Sequence, residues 1–427
     1  MIKKILFLLV LILTLTAAGF AQEDNLTLKI AVMGPGDELY FWWGHIALMI
    51  EDSKEGYSYF YDYGVFSFEN EDFFKNFALG LMLYRCAVSQ SYRNFEVYKK
   101  HNRDITLYTL DLPLEAKIKV RDFVSFNVLP QNRDYYYHHF RDNCSTRIRD
   151  IIDLALDGQF KEKFGEGPSR FTYRDHVRRH TYFSPAVDWF LNFLMGQVID
   201  VPLKEWNDMF LPSEVAARII DFRYVDSDGQ QRKLVTSIDP VYKAKVRAPV
   251  LDKPRVQWIR ELLFSLALSC LFAFFFYLQY KNKKAGRVLA GISMSLCSLI
   301  FGIASTLLYF LNLFTNHDYT YENANMIFCT PLLLAAVPAG LCYALTKIPK
   351  REKTNGELLR LIWFLCAAGI VISMLIKILP GFYQKNLTDQ MLMLPIALVF
   401  TFQPNGLKET LCKFKGLSKN KPGIGAV

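Results

Sequence analysis

Phe140-Arg141-Asp142-Asn143-Cys144-Ser145-Thr146-Arg147-Ile148-Arg149-Asp150-Ile151-Ile152 is the stretch on which the reading turns. Asp142 or Asn143 can cap a helix whose apolar face includes Ile148, Ile151 and Ile152. Cys144 then falls in the first turn, where the positive end of the helix dipole and free backbone N–H groups favour a thiolate. The same N–H groups are placed to receive an oxyanion once a carbonyl is attacked. Such a thiol needs a base, and the base needs a group to hold its second nitrogen.

Both are supplied upstream. Leu28–Val32 alternates like a strand and ends at the turn Gly34-Pro35-Gly36-Asp37. Trp43–Ile50 reads as a second strand with His45 near its beginning, and Tyr57–Gly64, carrying Asp62, makes a third that pairs antiparallel with it. Further strands are expected near Met82–Ser89 and Ile105–Leu110, with a helix over Glu115–Asn127. Cys144 as nucleophile, His45 as general base and Asp62 as the orienting carboxylate form one constellation, with Asn143 as cap or oxyanion support. His138 and His139, on the approach to the helix, are rival bases. Of the eight cysteines, five fall in the apolar segments and Cys412 in the basic inner tail; only Cys86 and Cys144 face the outer compartment, so a disulfide between them is the competing structural reading. No metal-ligand spacing joins these cysteines to a histidine, and neither a metal nor a cofactor is expected.

The whole chain sets this constellation beside a membrane. Its 427 residues are 52% hydrophobic, an excess over a soluble domain that concentrates beyond residue 258. Apolar segments run over Ile259–Tyr280, Val288–Leu311, Asn325–Leu345, Leu361–Leu379 and the shorter Asp389–Phe402, so about five spans are expected. Lys281, Lys283, Lys284 and Arg287 fill the first connection, and Lys347, Lys350, Arg351, Lys353 and Arg360 the third. The second connection, Asn312 to Ala324, has no Lys or Arg. Positive loops stay inside, which puts residues 22–258 on the outer face. Lys3 and Lys4, the apolar run Ile5–Leu15 and small residues up to Ala21 give a secretory leader, cleaved or retained as an anchor, with the same topology. The net charge of +9 thus reports orientation, and nucleic acid is not the expected partner. The expected boundaries are a leader at 1–21, an outer domain at 22–240 and a Pro-punctuated linker at 241–258. A membrane domain at 259–402 and a basic inner tail at 403–427 complete the chain.

Two other polar stretches stand out. The loop from Asn316 to Asn325, with His317, Asn323 and Asn325, leads into the third apolar segment. It reads either as a helix cap or as a substrate-contacting element. Phe171–His180 is basic and amphipathic, and reads either as a solvated helix face or as a contact for anionic headgroups. A turn at Asp226-Ser227-Asp228-Gly229 predicts a hairpin over Val225–Ser237.

The order of histidine strand, polar strand, then Asn-Cys opening a helix resembles the circularly permuted papain-like folds. These include lecithin:retinol acyltransferase and relatives of NlpC-type peptidases. More closely, Gly34-Pro35-Gly36-Asp37-Glu38-Leu39-Tyr40, Gly44-His45, Tyr61-Asp62-Tyr63-Gly64-Val65-Phe66, Asn132-Arg133-Asp134-Tyr135 and Asp142–Ile148 resemble the Lnb family of lipoprotein N-acyltransferases. Met195–Asp200, Met209-Phe210-Leu211-Pro212 and the loop with His317, Thr320, Asn323, Asn325 and Pro331 resemble it too. Where the family's Tyr-Asn-Tyr-Gly block has Asn, this chain has Asp62. The resemblance implies an α+β outer domain of permuted papain-like (NlpC/LRAT-like) fold followed by an α-helical transmembrane bundle. It also implies substrate contacts at His317, Asn323 and Asn325, and an inner-membrane location with the catalytic domain in the periplasm.

The implied reaction is N-acylation of lipoproteins. An acyl chain passes from a phospholipid to Cys144 as a thioester, then to the α-amine of a diacylated lipoprotein's N-terminal cysteine. Aromatics such as Trp42, Trp43, Phe66 and Phe68 belong either to a greasy entrance or to the core. Two rival classes use the same sequence differently: a membrane-tethered thiol hydrolase or peptidase, and a non-catalytic scaffold. A transporter is disfavoured by the absence of an internal repeat in the spans.

Overall fold

Among the described residues nine strands form between Leu26 and Tyr242, because short β-branched and aromatic runs alternate there between Gly-, Pro- and Asp-rich turns. The computed structural model describes residues 24–66, 72–281 and 283–403. The leader at 1–21, Phe68 and residues 404–427 of the basic tail lie outside them. The strands are β1 (Leu26–Met33), β2 (His45–Asp52), β3 (Tyr57–Val65), β4 (Leu83–Gln90), β5 (Ile105–Leu110), β6 (Asp134–Tyr136), β7 (Arg223–Val225), β8 (Gln231–Lys233) and β9 (Val235–Tyr242). Seven of them make one sheet in the order β6-β4-β3-β2-β1-β5-β9, and β7 and β8 form a separate hairpin around the Asp226–Gly229 turn. The β1–β2, β1–β5, β2–β3, β3–β4 and β5–β9 pairs are antiparallel.

The chain divides into two compact units, and both are assembled from discontinuous pieces. The first comprises the chain up to Phe66, Tyr84–Gly165 and Met209–Lys245. Its sheet is apolar on both faces at the centre: β2 is buried from Ile46 to Ile50. Ala31, Met33, Ala47, Met49 and Phe60 form a cluster on one face, with Phe95 and Tyr98 of the helix Ser91–Lys100 packed against it. The helix Cys144–Ala155 packs against β2 and β3, burying Ile148, Ile151 and Ile152 as the spacing predicts. β9 runs through Pro240 to Tyr242, into the start of the stretch expected to be a linker. Pro240 is tolerated because β9 is an edge strand, where a missing N–H need not cost a ladder bond.

The second unit comprises the piece ending at Leu83, Glu166–Asp208 and the chain from Val246 on. Among the described residues it holds three helices long and apolar enough to cross a membrane: Trp258–Tyr280, Lys284–Phe314 and Pro349–Ile378. One of the five expected segments differs: the stretch from Asn325 turns through short 3-10 structure before the helix Leu333–Leu345, whereas the last, shorter segment forms the helix Leu387–Thr401 close to its expected bounds. Asn323 and Asn325 spend their side chains on a polar turn there, so regular helix begins only after Pro331 and Leu332. The core of this unit joins Phe193, Met294, Phe301, Phe328, Trp363, Met393 and Phe400 from most of its helices.

The basic stretch at Phe171–His180 is a helix, Tyr173–Thr181, but neither a solvated face nor a headgroup contact: Arg174, His176, Arg179 and His180 are buried. Carboxylates buried beside it explain this. Arg174 Nε donates to Asp200 Oδ1 at 2.8 Å, and His176 Nε2 meets Asp208 Oδ1 at 2.8 Å.

Candidate active site

Gly44 holds a left-handed backbone (φ 79°), and a Cβ there would lie 2.9 Å from the Met33 carbonyl. That turn delivers His45 as the first residue of β2, opposite Met33. From the Leu48–Tyr61 pair, the antiparallel register sets Asp62 opposite Ala47, on the same sheet face as His45 two residues away. The two side chains meet diagonally: His45 Nε2 lies 2.5 Å from Asp62 Oδ1. The Tyr98 ring lies over the imidazole, with ring centroids 6.3 Å apart.

Nε2 faces Asp62, and Cys144 is near enough for its charge and a hydrogen bond to act on His45. Both groups are largely buried. Burial opposes the charged imidazole, but the Asp62 carboxylate and the Cys144 thiolate outweigh it and push His45 up to about 10. Burial likewise opposes the thiolate, yet the charge and hydrogen bond of His45 bring Cys144 below an ordinary thiol. The backbone N–H of Ile46 assists. Each group thus favours the charged form of the other, thiolate beside imidazolium.

Asn143 is the helix N-cap. Its Oδ1 accepts from the N–H groups of Ser145 (2.9 Å) and Thr146 (3.0 Å), and Thr146 Oγ1 accepts from the Asn143 N–H at 2.8 Å, closing a capping box. Its Nδ2 donates to the carbonyls of His139 (2.7 Å) and Phe210 (2.9 Å). Both amide protons are thus engaged, and so are two first-turn N–H groups that the sequence offered to an oxyanion. Asn143→Ala is expected to cost about 1–2 kcal/mol of stability as the cap is lost, read from thermal unfolding against the parent protein.

His138, a rival base, is turned into its own loop. Its Nδ1 accepts from the Phe140 and Arg141 N–H groups at 3.1 Å each, and Arg141 sits 3.1 Å from Nε2. Burial and that guanidinium hold it down at about 4, so it stays neutral. His139 packs its ring on Tyr137, with centroids 5.4 Å apart.

Cys86 is a free, buried thiol on β4, pushed up to about 12 by burial, and Cys144 is also free. The disulfide reading is not realised. Gly64 (φ 85°) lies between Tyr137 and the Cys144 Cβ, which a Cβ at this glycine would meet at 3.3 and 4.0 Å. Tyr98, the Ile46 N–H and Gly64 were invisible as site members in sequence. Only the motif carrying Gly64 marked its neighbourhood.

His317, Asn323 and Asn325 belong to the second unit and are buried. His317 Nε2 meets the Phe77 carbonyl at 2.8 Å, and the Tyr319 hydroxyl lies 2.6 Å from Nδ1. Asn323 Nδ2 donates to the carbonyls of Phe193 and Leu194, and Asn325 Nδ2 to those of Phe193 (2.9 Å) and to Asp389 Oδ2 (3.3 Å). Their amides hold the Phe193 turn against the polar ends of the helices around them. No group of three or more metal-ligating side chains occurs among the described residues.

Residues 17–179 match the family model described as the Lnb N-terminal periplasmic domain. No curated protein and no solved structure matches the chain. The chain thus carries a Lnb N-terminal periplasmic domain, followed by helices apolar enough to cross a membrane.

Proposed function

We propose that this protein is a thiol acyltransferase that N-acylates lipoproteins. Its periplasmic domain is of permuted papain-like fold, and the protein is anchored in the inner membrane by five crossings, with the two shorter apolar helices completing the three long ones. The observation that carries the reading is a thiol at a helix start, beside an imidazole that is held by a carboxylate. That is the machinery for attack on a carbonyl carbon without a metal or cofactor.

The Cys144 thiolate adds to an ester carbonyl of a phospholipid, and its N–H is the first-turn donor not claimed by Asn143 Oδ1. The tetrahedral intermediate expels the alkoxide, which takes the proton from His45 and leaves as lysophospholipid. The enzyme retains a thioester and a neutral imidazole. The α-amine of a diacylated lipoprotein then attacks the thioester carbonyl, and His45 takes the proton released as the amide forms. Collapse restores the thiolate–imidazolium pair. Asp62 keeps the imidazolium oriented and stabilised throughout.

The test is direct. Purified protein incubated with phosphatidylethanolamine is expected to carry an acyl mass on the Cys144 peptide, which a synthetic diacylated lipopeptide discharges as a triacylated product. An adduct discharged equally by water would identify a hydrolase instead. No adduct at all would sink the thiol mechanism.

The protonation state of the pair has its own signature. His45, raised above 6.5, contributes stability that is complete below that pH and is lost as pH climbs through about 10. Cys144, lowered from 9.0, contributes stability present above 9 and lost as pH falls through its folded value. Alkylation of Cys144 by iodoacetamide, followed by peptide mass, is expected to titrate at a pH below 9. His45→Ala should move the inflection upward.

A further inference from the structure

Between β3, which carries Asp62, and β4 the chain leaves the sheet unit and enters the second unit, where Phe73–Leu79 forms a short helix. Its attachment there is specific. His317 Nε2 meets the Phe77 carbonyl at 2.8 Å, and the Asn316 N–H donates to the Leu79 carbonyl at 2.9 Å. Gly80, left-handed at φ 74°, lets the backbone close on Asn316, where a Cβ would stand 2.8 Å from the Asn316 carbonyl carbon. His317 and Asn316 immediately follow the end of the long apolar helix Lys284–Phe314.

The outward side of this attached segment is largely apolar, with the exposed Asp72–Lys75 ion pair at its start. Phe74 is 66% exposed and Leu83 55%, and Phe77 and Leu81 are exposed beside them. The end of the Lys284–Phe314 helix presents Leu313 (59%) and Phe314 (70%). Six large apolar side chains in one locality exceed what scattered surface residues explain.

We infer that the Phe73–Leu83 segment is an interfacial lipid anchor, its Phe and Leu side chains seated in the boundary between headgroups and acyl chains of the bilayer. Continuity and length fix the occupant as lipid. The Lys284–Phe314 helix has 31 residues, about 46 Å at 1.5 Å per residue, whereas about 20 residues cross the hydrocarbon core. Its basic end, Lys284 and Arg287, belongs at one interface. Counted from there, Phe310–Phe314 reach the opposite interface, and the segment fastened at Asn316 and His317 lies at the same depth. Partly apolar helices that lie in this layer are held by burying a few bulky side chains in it. The anchor is spliced into the middle of the periplasmic domain's sequence, so that the strand holding Asp62 leads straight to a lipid-bound segment. The inference does not depend on the acyl-transfer reading.

The experiment uses the full chain in phosphatidylcholine nanodiscs, with the fluorescent amino acid acridonylalanine placed at Phe74 and, in a second protein, at Ile303. Ile303 is exposed in the middle of the same long helix and gives the value for deep lipid contact. Lipids bearing a nitroxide at the 5-position of the acyl chain are expected to quench the Phe74 label at least about twofold more than aqueous iodide does, as befits a residue just below the headgroups. Quenching by iodide and not by the lipid nitroxide would overturn the inference. So would protection from both, which means a protein surface covers the site. A matching signal from the Ile303 label shows that the protein is inserted, and neither readout requires turnover.

Discussion

Cys144→Ala is expected to abolish the acyl adduct and to lower lipopeptide N-acylation by at least about 10³-fold, the scale on which nucleophile loss acts in triad enzymes. The protein should remain folded. The cap at Asn143 does not use the sulfur, and the helix keeps its buried Ile148, Ile151 and Ile152. The unfolding temperature in detergent is the control, and turnover within tenfold of the parent would remove Cys144 from the reaction. His45→Ala should fall nearly as far, since it strips the thiolate of its counter-charge and the reaction of its proton carrier. Asp62→Asn separates two roles of that residue. If a hydrogen bond to Nε2 suffices, the variant keeps most activity. If the carboxylate charge is needed to hold the imidazolium, activity drops steeply and the alkaline limit near pH 10 shifts down.

The second large effect lies far from the thiol in chemistry. Arg174→Ala is expected to destabilise the second unit by about 3–5 kcal/mol, the cost of leaving a buried charge without its partner. Arg174 is 1% exposed, and its guanidinium donates to Asp200 Oδ1, to the carbonyls of Asn192, Met195 and Gly196, and to Asn192 Oδ1. Among the described residues the Asp200 carboxylate would keep the Lys385 N–H at 3.1 Å as its remaining donor. Asn192 in turn donates to Asp389, which also receives Asn325, so the loss propagates to the polar turn at Asn323 and Asn325. Arg174→Lys should recover little, because a single ammonium cannot reach five acceptors in a planar fork. A drop in the unfolding temperature of the full-length protein, larger than that of Asn143→Ala, is the expected measurement.

Periodicity and turn chemistry were enough for much of this molecule. β5 falls on Ile105–Leu110 as read, and the helix expected from Glu115 starts at Leu114. Asn143 was one of two named caps, and the apolar face of its helix is buried as spaced. Such features are local: a capping side chain and a 3.6-residue stripe need only their neighbours in sequence. The basic stretch at Tyr173–Thr181 misled for the complementary reason. Charge density says that a surface is expected, and only the distant Asp200 and Asp208 make burial possible.

By itself the sequence determined where the main strands and helices lie, the thiol at a helix tip and the apolar character of the C-terminal part, because each is written in nearest-neighbour spacing. Tertiary structure decided which histidine faces the sulfur, since His138 is nearer in sequence but is tied to its own loop, while a diagonal across two strands brings His45 to Asp62. It also decided that Phe73–Leu83 and Glu166–Asp208 fold with the membrane helices. Their partners, Asn316, His317, Asn325 and Asp389, lie more than a hundred residues away, and contacts at that separation leave no periodic trace in the chain.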